Sequence, residues 1–352
     1  MRAHLVAPTP RRAVEQAWHA VVDARPDVHV SPTGDGRWRR ASDAPTVAVG
    51  AVEPELDRAR HAATDHAVGV LVDDDPATTI TLVVDHSLTD GLGARVILED
   101  LLRALAGTEV ALRRRVTDEA LDELRTRRPA LAAALAQIPP RRVARLGEIG
   151  ETTQLASRAV DLAPLDARRR VAGVSVGSVI IQAVLDGLAA NRAPTRESAT
   201  VAVGVPADLR RHIGEPTGVG NAVVNLTITT DDAVDLAAIG SHVDHQTTRR
   251  RLGETLTWVR RATRPGPPRT APRRGRLVAT AMLSNLGRLG DDPCWRLADR
   301  VTFAPPAHDT VSIGVVGLGA ELTVTVRSRL RDVEATAGLA DDLARRLGSG
   351  RG

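Results

Sequence analysis

The sequence predicts an α/β protein built from two domains of similar size. Alternating or continuous apolar runs, typical of strands, are interleaved with apolar residues at helical spacing along the whole chain. The same mixture occurs in the first half and in the second half. At 352 residues and 43% hydrophobic content, the chain is long enough to form two ordinary cores.

The first half opens with a predicted strand and helix, followed by a hairpin. A short strand over Ala3 to Ala7 precedes a helix over Arg11 to Ala24, where apolar residues recur at helical spacing. Two β-rich runs, Ala67 to Val72 and Thr78 to Val84, flank an Asp-rich turn. From Gly91 the spacing of leucine and valine becomes helical. The residues just before Gly91 therefore lie at a strand-to-helix junction.

The composition of the middle of the chain predicts that the connection between the two domains lies there. Residues 107–165 are rich in Arg, Ala, Glu and Pro and show little β signal. A helical stretch near Asp118 to Leu135 is followed by the Pro139-Pro140 break. We therefore predict an amino-terminal domain over 1–140, a connecting segment over 141–170 and a carboxy-terminal domain over 171–352.

The second half repeats the alternation of helices and strands around one Arg- and Pro-rich segment. Residues Arg260 to Arg276 contain four Pro and seven Arg, which predicts a surface loop. The predicted helices are Ser175 to Ala190, Ala233 to Val259 and Asp332 to Leu347, and the predicted strands are Ala199 to Val205, Ala222 to Thr229, Leu277 to Leu286, Val311 to Val316 and Glu321 to Val326.

Composition excludes several classes of function. All 47 basic residues are Arg, but 43 acidic residues balance them to a net charge of +4, and aromatic residues make up 1% of the chain. Nucleic-acid binding is therefore not indicated. The single cysteine excludes an internal disulfide, and no apolar run reaches the roughly 18 residues of a membrane span. Because no signal peptide is recognisable either, we expect a cytoplasmic protein.

The segment DHSLTDG, Asp85 to Gly91, is the most informative part of the sequence. A His at the end of a strand is held rigidly, as a general base requires, and its unperturbed pKa of about 6.5 suits proton transfer near neutral pH. Asp90 lies at the turn, where a carboxylate bonds local backbone or pairs with a distant Arg. Gly91 permits a tight start to the following helix. The spacing alone predicts a shaped loop rather than a catalytic dyad.

The motif and its surroundings resemble a known family. His, Asp and Gly match the HxxxDG motif of the acyltransferases that include chloramphenicol acetyltransferase, plant BAHD and PapA-type acyltransferases, wax ester synthases and nonribosomal peptide condensation domains. Further segments follow in the family's order: AWHAVVDARPDVHVSP before GRW, VGVPADLRRHI with GVGN, SNLGRL, and VSIGVVGLGAELTVTVRSR. The resemblance implies two chloramphenicol-acetyltransferase-like α/β sandwich domains, a pseudo-dimer, with the active site in a channel at their interface.

The resemblance also implies an activity. An acyl group would move from a thioester, on CoA or on the phosphopantetheine of a carrier protein, to a hydroxyl or amine acceptor. His86 would act as general base, and Ser284 or Asn285 in SNLG would donate to the oxyanion of the tetrahedral intermediate. No metal and no bound cofactor are expected. The two similar halves favour a monomer.

Structural roles in the same site are implied for Asp90, Gly91 and Arg210. Asp90 would form an ion pair with Arg210 in PADLR, with Arg211 as the alternative partner. Gly91 would allow the backbone to approach closely at the cleft.

Two alternatives stay open, and a departure from the bacterial form of the motif supports the second of them. That form has a His where this chain has Asp85, and because strand neighbours point to opposite faces, the Asp85 carboxylate is expected to face away from His86. One alternative is a free-standing condensation-like domain that forms an amide between carrier-bound substrates, or an epimerising relative of it. The other is an inactive homologue that binds a carrier or partner domain.

Three other groups have simpler structural interpretations. His242 and His245 lie three residues apart on a predicted helix, but no third ligand has metal-site spacing, so a solvated helix face is expected. Cys294 beside Trp295 is expected to pack in the core, since no neighbouring His or cation activates it. The loop of residues 260–276 would either contact CoA phosphates or an acidic carrier, or be an ordinary surface loop.

Overall fold

Two β-sheets, with helices packed on them, organise the chain. The computed structural model describes residues 1–33, 38–50, 66–113, 115–136, 143–193, 199–233, 235–262, 279–290, 292–306 and 310–349. The mixed content of helices and strands confirms the predicted α/β class. In this described part, no single helix is long and apolar enough to cross a membrane; the sharply bent pair Leu162–Ala172 and Val176–Ala190 passes on length and composition only when taken together.

The elements are numbered here in chain order. The strands are β1 (Arg2–Thr9), β2 (Val30–Pro32), β3 (Trp38–Arg40), β4 (Val47–Val49), β5 (Val68–Val72), β6 (Ala77–Val84), β7 (Ile149–Asp161), β8 (Ala202–Asp208), β9 (Val223–Thr229), β10 (Ala281–Leu289), β11 (Ala298–Thr302), β12 (Val311–Leu318) and β13 (Glu321–Leu330). The α-helices are α1 (Arg11–Ala24), α2 (Gly91–Leu105), α3 (Asp118–Asp122), α4 (Leu131–Ala136), α5 (Leu162–Ala172), α6 (Val176–Ala190), α7 (Leu236–Gln246), α8 (Arg249–Ala262) and α9 (Val333–Gly348).

The first sheet carries the strand that leads into the motif. Its five strands have the order β11-β1-β6-β5-β4, and all neighbours are antiparallel except β4 and β5. The predicted hairpin is confirmed as β5 and β6, in which Val68 pairs with Val84. We call this sheet with α1 and α2 the first lobe. A separate small ladder joins β2 to β3.

The second sheet has six strands in the order β7-β13-β12-β10-β8-β9. The three central strands β12, β10 and β8 run parallel, and the outer pairs are antiparallel. Helices α6 and α9 pack on one face of this sheet, where Val184, Leu188, Leu339 and Leu343 are fully buried. We call this sheet with α6 and α9 the second lobe.

Strand β10 lies between the two main apolar cores. Leu283 belongs to the core of the second lobe, whereas Leu286 belongs to the core that also contains Trp18 of α1 and Leu101 of α2. This division follows from the alternation of strand side chains, since residues an odd number apart point to opposite faces. The face of β10 that carries Leu286 is therefore directed toward the first lobe.

Strand β7 is the main difference from the sequence prediction. The prediction of little β structure over 107–165 is wrong, because Ile149–Asp161 pairs along most of its length with β13. Most of its side chains are half-buried or exposed, so pairing with β13 rather than a local apolar pattern determines this strand. The sequence also does not predict β11, which pairs with β1. Strand β7 begins inside the predicted connecting segment 141–170, and β11 of the second half belongs to the first sheet. The predicted domain boundaries at residues 140 and 170 stay a prediction.

Two predicted helices are each divided in the structure. The stretch 233–259 forms α7 and α8, separated at Thr247, whose hydroxyl donates to the carbonyl of Val243 at 2.8 Å. The stretch 118–135 forms only the short helices α3 and α4, which lie on either side of Pro129. The predicted loop 260–276 lies outside the described residues from residue 263 onward, and its first residues continue α8.

Gly314 of β12 marks a close approach of two backbone segments beside the motif. A Cβ at this position would lie 2.0 Å from the carbonyl oxygen of Phe303 and 2.8 Å from Cδ of Pro305. The Phe303 ring in turn lies against Gly91 of the motif. The glycine therefore allows the segment after β11 to reach the start of α2.

We expect Gly314→Ala to lower the free energy of unfolding by about 1–3 kcal/mol, because a methyl group overpacks a site bounded by backbone. Gly338 is the matched control, since it is exposed in α9 and a Cβ there would meet nothing within 4 Å. Gly338→Ala should be neutral or stabilising by up to about 1 kcal/mol. Urea denaturation measures both changes, and equal unfolding free energies for the two variants would contradict the close approach.

Candidate active site

The motif forms a short loop between β6 and α2. Strand β6 ends at Val84, residues 86–88 form a turn, and Asp90 is the N-cap of α2. Its carboxylate accepts a hydrogen bond from the backbone N–H of Gly93 at 3.0 Å, which satisfies one of the free donors at the helix start. The predicted strand-to-helix junction is thus confirmed.

His86 is exposed, and its ring is oriented by the loop itself. Nδ1 lies 3.2 Å from the backbone carbonyl oxygen of Thr89. Because a carbonyl only accepts hydrogen bonds, Nδ1 carries the proton in this contact. A neutral ring then keeps the lone pair on Nε2, which is the state that a general base needs.

Asp90 and Arg210 form a buried ion pair across the two lobes. Arg210 Nη2 donates to Asp90 Oδ1 at 2.7 Å, and the side chains are only 1% and 4% exposed. Burial opposes the charge of Arg210, but the carboxylates of Asp90 and Asp208 outweigh this effect and raise its pKa above the ordinary value. The alternative partner, Arg211, is exposed. The structure therefore brings together the pair that the resemblance implies.

The remaining donors and acceptors of this pair bond to backbone groups and to Asp208. Arg210 also donates to the carbonyl oxygens of Gly218 and Gly220, each at 2.7 Å, and to Asp208 Oδ1 at 2.9 Å. The second carboxylate oxygen of Asp90 accepts from the N–H of Ala222 at 2.9 Å. A charged pair satisfied in this way can be buried without leaving an uncompensated group.

Two residues outside the sequence-predicted site attach the motif loop to the second lobe. The hydroxyl of Thr89 bonds both backbone groups of Gly220, at 2.9 Å to N and 3.1 Å to O. The Asn221 amide donates to the carbonyl oxygens of His86 at 2.9 Å and Ser87 at 3.2 Å. Asn221 ends the segment GVGN, residues 218–221, and the resemblance of this segment to the known family was its only signal in the sequence.

Gly91 is needed because side chains of the second half of the chain approach it closely. A Cβ there would lie 2.8 Å from the Phe303 ring and 3.0 Å from Cδ2 of Leu286. Arg95, one turn further along α2, donates to the carbonyl oxygen of Leu286 at 3.2 Å. The start of α2 is therefore packed against β10, the strand that carries SNLG.

Ser284 and Asn285 lie on opposite faces of β10. Ser284 shares the face of Leu286, which is directed toward Gly91 and the first lobe. Asn285 is exposed on the other face, where its amide nitrogen would be 4.0 Å from a Cβ at Gly177, and its amide oxygen accepts from the N–H of Gly287 at 2.9 Å. Of the two predicted oxyanion donors, only Ser284 is placed on the side of the motif.

Other sequence candidates have local partners. The Asp85 carboxylate accepts from the N–H and the hydroxyl of Ser87, at 2.9 Å and 2.7 Å. Cys294 is buried, and burial raises the pKa of its thiol, so the thiol stays protonated at neutral pH. The predicted packing role of Cys294 is thus supported. On α7, His242 is half-buried and His245 is exposed.

Comparison with known proteins identifies the fold. No protein-family model matches the sequence, and no curated protein is significantly similar to it. Among solved structures, the condensation domain from Monacolin K polyketide synthase is 12% identical with a TM-score of 0.68, covering 99% of this chain and 90% of that one. The epimerization domain from the third module of tyrocidine synthetase B is 15% identical with a TM-score of 0.61, covering 99% and 91%.

A third similar structure is polyketide synthase associated protein 5 from Mycobacterium tuberculosis. It is 14% identical with a TM-score of 0.64, and the alignment covers 98% of this chain and 93% of that chain. These alignments span nearly the whole chain, so both predicted lobes are confirmed, whereas the channel between them stays a prediction. The chain therefore has the fold of these condensation and epimerization domains.

Proposed function

We propose that this chain is an acyltransferase that moves an acyl group from a thioester donor to a hydroxyl or amine, with His86 as the general base. The observation that carries the proposal is the contact between His86 Nδ1 and the Thr89 carbonyl oxygen, which leaves Nε2 as the free base. The loop that makes this contact is attached to the second lobe through Asp90 and Asn221.

In the proposed reaction, one nitrogen atom, His86 Nε2, takes a proton from the acceptor and later gives it to the leaving thiolate. His86 Nε2 takes the proton of the acceptor as its oxygen or nitrogen attacks the thioester carbonyl, and the carbonyl oxygen becomes an oxyanion. The carbon–sulfur bond then breaks, and the imidazolium gives its proton to the leaving thiolate. General-base assistance of this kind contributes about 10²–10⁴-fold to a rate.

Ser284 is the proposed donor to the oxyanion. It lies on the face of β10 that is directed toward the motif, whereas Asn285 lies on the opposite face. A single donor of this type contributes about 3–4 kcal/mol to stabilising the transition state, because it interacts with charge that is absent in the ground state.

The acyl donor we test first is an acyl group on the phosphopantetheine of a carrier protein, with acyl-CoA beside it. Proteins with this fold include a condensation domain described as mediating chain release from the enacyloxin polyketide synthase. The second candidate function, based on the same shared fold, is a carrier-dependent enzyme that forms an amide between two carrier-bound substrates. The shared fold also includes an epimerization domain, so the fold alone does not choose among these reactions.

We expect His86→Ala to lower acceptor-dependent thiol release by about 10²–10⁴-fold, because the proton of the acceptor loses its base. Thiol release is measured with a panel of acyl-CoAs of rising length and with acylated carrier protein, each with alcohol and amine acceptors. His19→Ala is the matched control, since His19 is exposed on α1. An unchanged rate in His86→Ala would exclude its role as base, and no release by the wild-type protein from any donor would favour a binding protein.

The two faces of β10 predict different effects for neighbouring residues. Ser284→Ala should reduce kcat by about 10²–10³-fold with little change in KM, as for the loss of an oxyanion donor. Asn285→Ala should change kcat little, because its side chain lies on the other face of the sheet. Steady-state kinetics on the donor found above test both variants. A larger loss in Asn285→Ala than in Ser284→Ala would contradict the assignment.

We expect Asp90→Asn to lower the free energy of unfolding by about 3–5 kcal/mol, because it leaves a buried guanidinium without its main counter-charge. Asp341→Asn is the control, since Asp341 pairs with Arg158 at the exposed surface, where solvent screens the pair and its loss should change the free energy of unfolding little. Urea denaturation gives both values. Equal costs in the two variants would show that the buried pair does not hold the motif loop.

A further inference from the structure

A second group of chemically active side chains lies outside the motif. His29, Asp43 and His66 come from three separate segments of the first half, and their ligand-type atoms all lie within 4.8 Å of one another. His66 Nε2 is 3.0 Å from Asp43 Oδ2, and His29 Nε2 is 4.0 Å from Asp43 Oδ1. The two imidazole rings are 4.4 Å apart between centroids. No role in the proposed acyl transfer requires this convergence.

The hydrogen bonds of His66 are compatible with a cation between it and Asp43. Nδ1 of His66 lies 3.0 Å from the Ser31 hydroxyl, which is the type of contact that fixes the tautomer of a metal-bound imidazole. A serine hydroxyl can donate or accept, so Nε2 presents either a proton or a lone pair to the Asp43 carboxylate. A cation between Nε2 and Oδ2 takes the lone-pair form, in which Nδ1 donates to Ser31.

His29 supplies an independent sign of a missing ligand. Its ring is 3% exposed, and among the described residues Nδ1 has no hydrogen-bond partner. A buried polar atom of this kind costs free energy unless something binds it. Its other nitrogen, Nε2, lies 3.0 Å from the backbone carbonyl oxygen of Asp43, so Nε2 donates there and Nδ1 is the nitrogen that keeps a lone pair for a ligand.

The carboxylate of Asp43 is suited to bind a cation. A carboxylate oxygen is an ordinary zinc ligand, with a bond of about 2.0–2.2 Å. The side chain is 63% exposed, whereas the histidines on its inner side are largely buried. The cluster is therefore open to solvent on the side of Asp43, where an ion can arrive and a water molecule can bind.

We propose that His29, Asp43 and His66 bind a Zn²⁺ ion, with solvent in the fourth coordination position. Two imidazoles and one carboxylate with an open position form a ligand set that zinc accepts, with bonds of about 2.0–2.2 Å. Such bonds place tetrahedral ligand atoms about 3.3 Å apart. His66 Nε2 and Asp43 Oδ2, 3.0 Å apart, are already near this separation, and rotation of the His29 side chain brings its Nδ1 to the ion.

The proposed zinc site is joined by backbone to the strand that leads into the motif. Ala67, next to His66, donates to the carbonyl oxygen of Val30 and accepts from the N–H of Asp85, each at 2.7 Å. Val30 follows His29, and Asp85 precedes His86. A bound ion therefore stabilises the backbone on both sides of Ala67. Because Asp85 is bonded to Ala67, the ion also stabilises the position of Asp85, which is next to the proposed base.

The experiment is a zinc titration of the full chain after removal of metal by a chelator. Competition with a chromophoric chelator gives stoichiometry and affinity, and Co²⁺ gives an absorption spectrum that reports the coordination geometry. We expect one Zn²⁺ per chain, weakened at least about tenfold in His66→Ala and in Asp43→Asn. Ser31→Ala, which removes only the orienting hydroxyl, should weaken binding by about 10–100-fold.

Control variants separate this site from the proposed active site. His19→Ala, an exposed His on α1, should bind zinc as the wild type does, and circular dichroism shows which variants are folded. His86→Ala should lose activity and keep its zinc, so the two proposals fail independently. Absence of saturable 1:1 binding in the wild type, or equal affinity in folded His66→Ala, would overturn the proposal and leave an imidazolium–carboxylate ion pair in its place.

Discussion

The buried ion pair between Asp90 and Arg210 is the constraint on which the candidate site depends. It joins the N-terminus of a helix in the first lobe to the segment between two strands of the second lobe. With side chains 1% and 4% exposed, either charge alone would carry a large desolvation cost, so the two segments are stable only together. The backbone groups of Gly218, Gly220 and Ala222 complete the hydrogen bonding of the pair.

The position of His86 follows from this attachment. Asn221 holds the loop at the carbonyl oxygen of His86, Thr89 holds it three residues later, and the Thr89 carbonyl orients the ring. Among the residues that the structure describes, no carboxylate orients the His86 ring, and Asp90 instead bonds Arg210 and the start of α2. The base in the proposed reaction is thus a neutral imidazole whose contribution depends on where Nε2 points.

The first lobe combines two chemical groups on connected backbone. The proposed base follows β6, and the proposed zinc ligand His66 precedes β5, the neighbouring strand of the same hairpin. Proteins that share this fold are described as condensation and as epimerization domains, so the backbone supports different reactions. Differences in chemistry then lie in the residues placed at strand ends, where side chains can change without disturbing the sheet.

The sequence by itself determined the α/β class, most helices and central strands, and the junction that carries His86, because these depend on local periodicity and turn chemistry. Strand β7 could not be predicted, since its stability comes from pairing with β13 rather than from its own pattern. The choice of Arg210 over Arg211, the separation of Ser284 from Asn285, and the meeting of His29, Asp43 and His66 were likewise decided only by tertiary structure. Each depends on which face or neighbour a side chain reaches, and contacts between residues distant in the chain leave no period in the sequence.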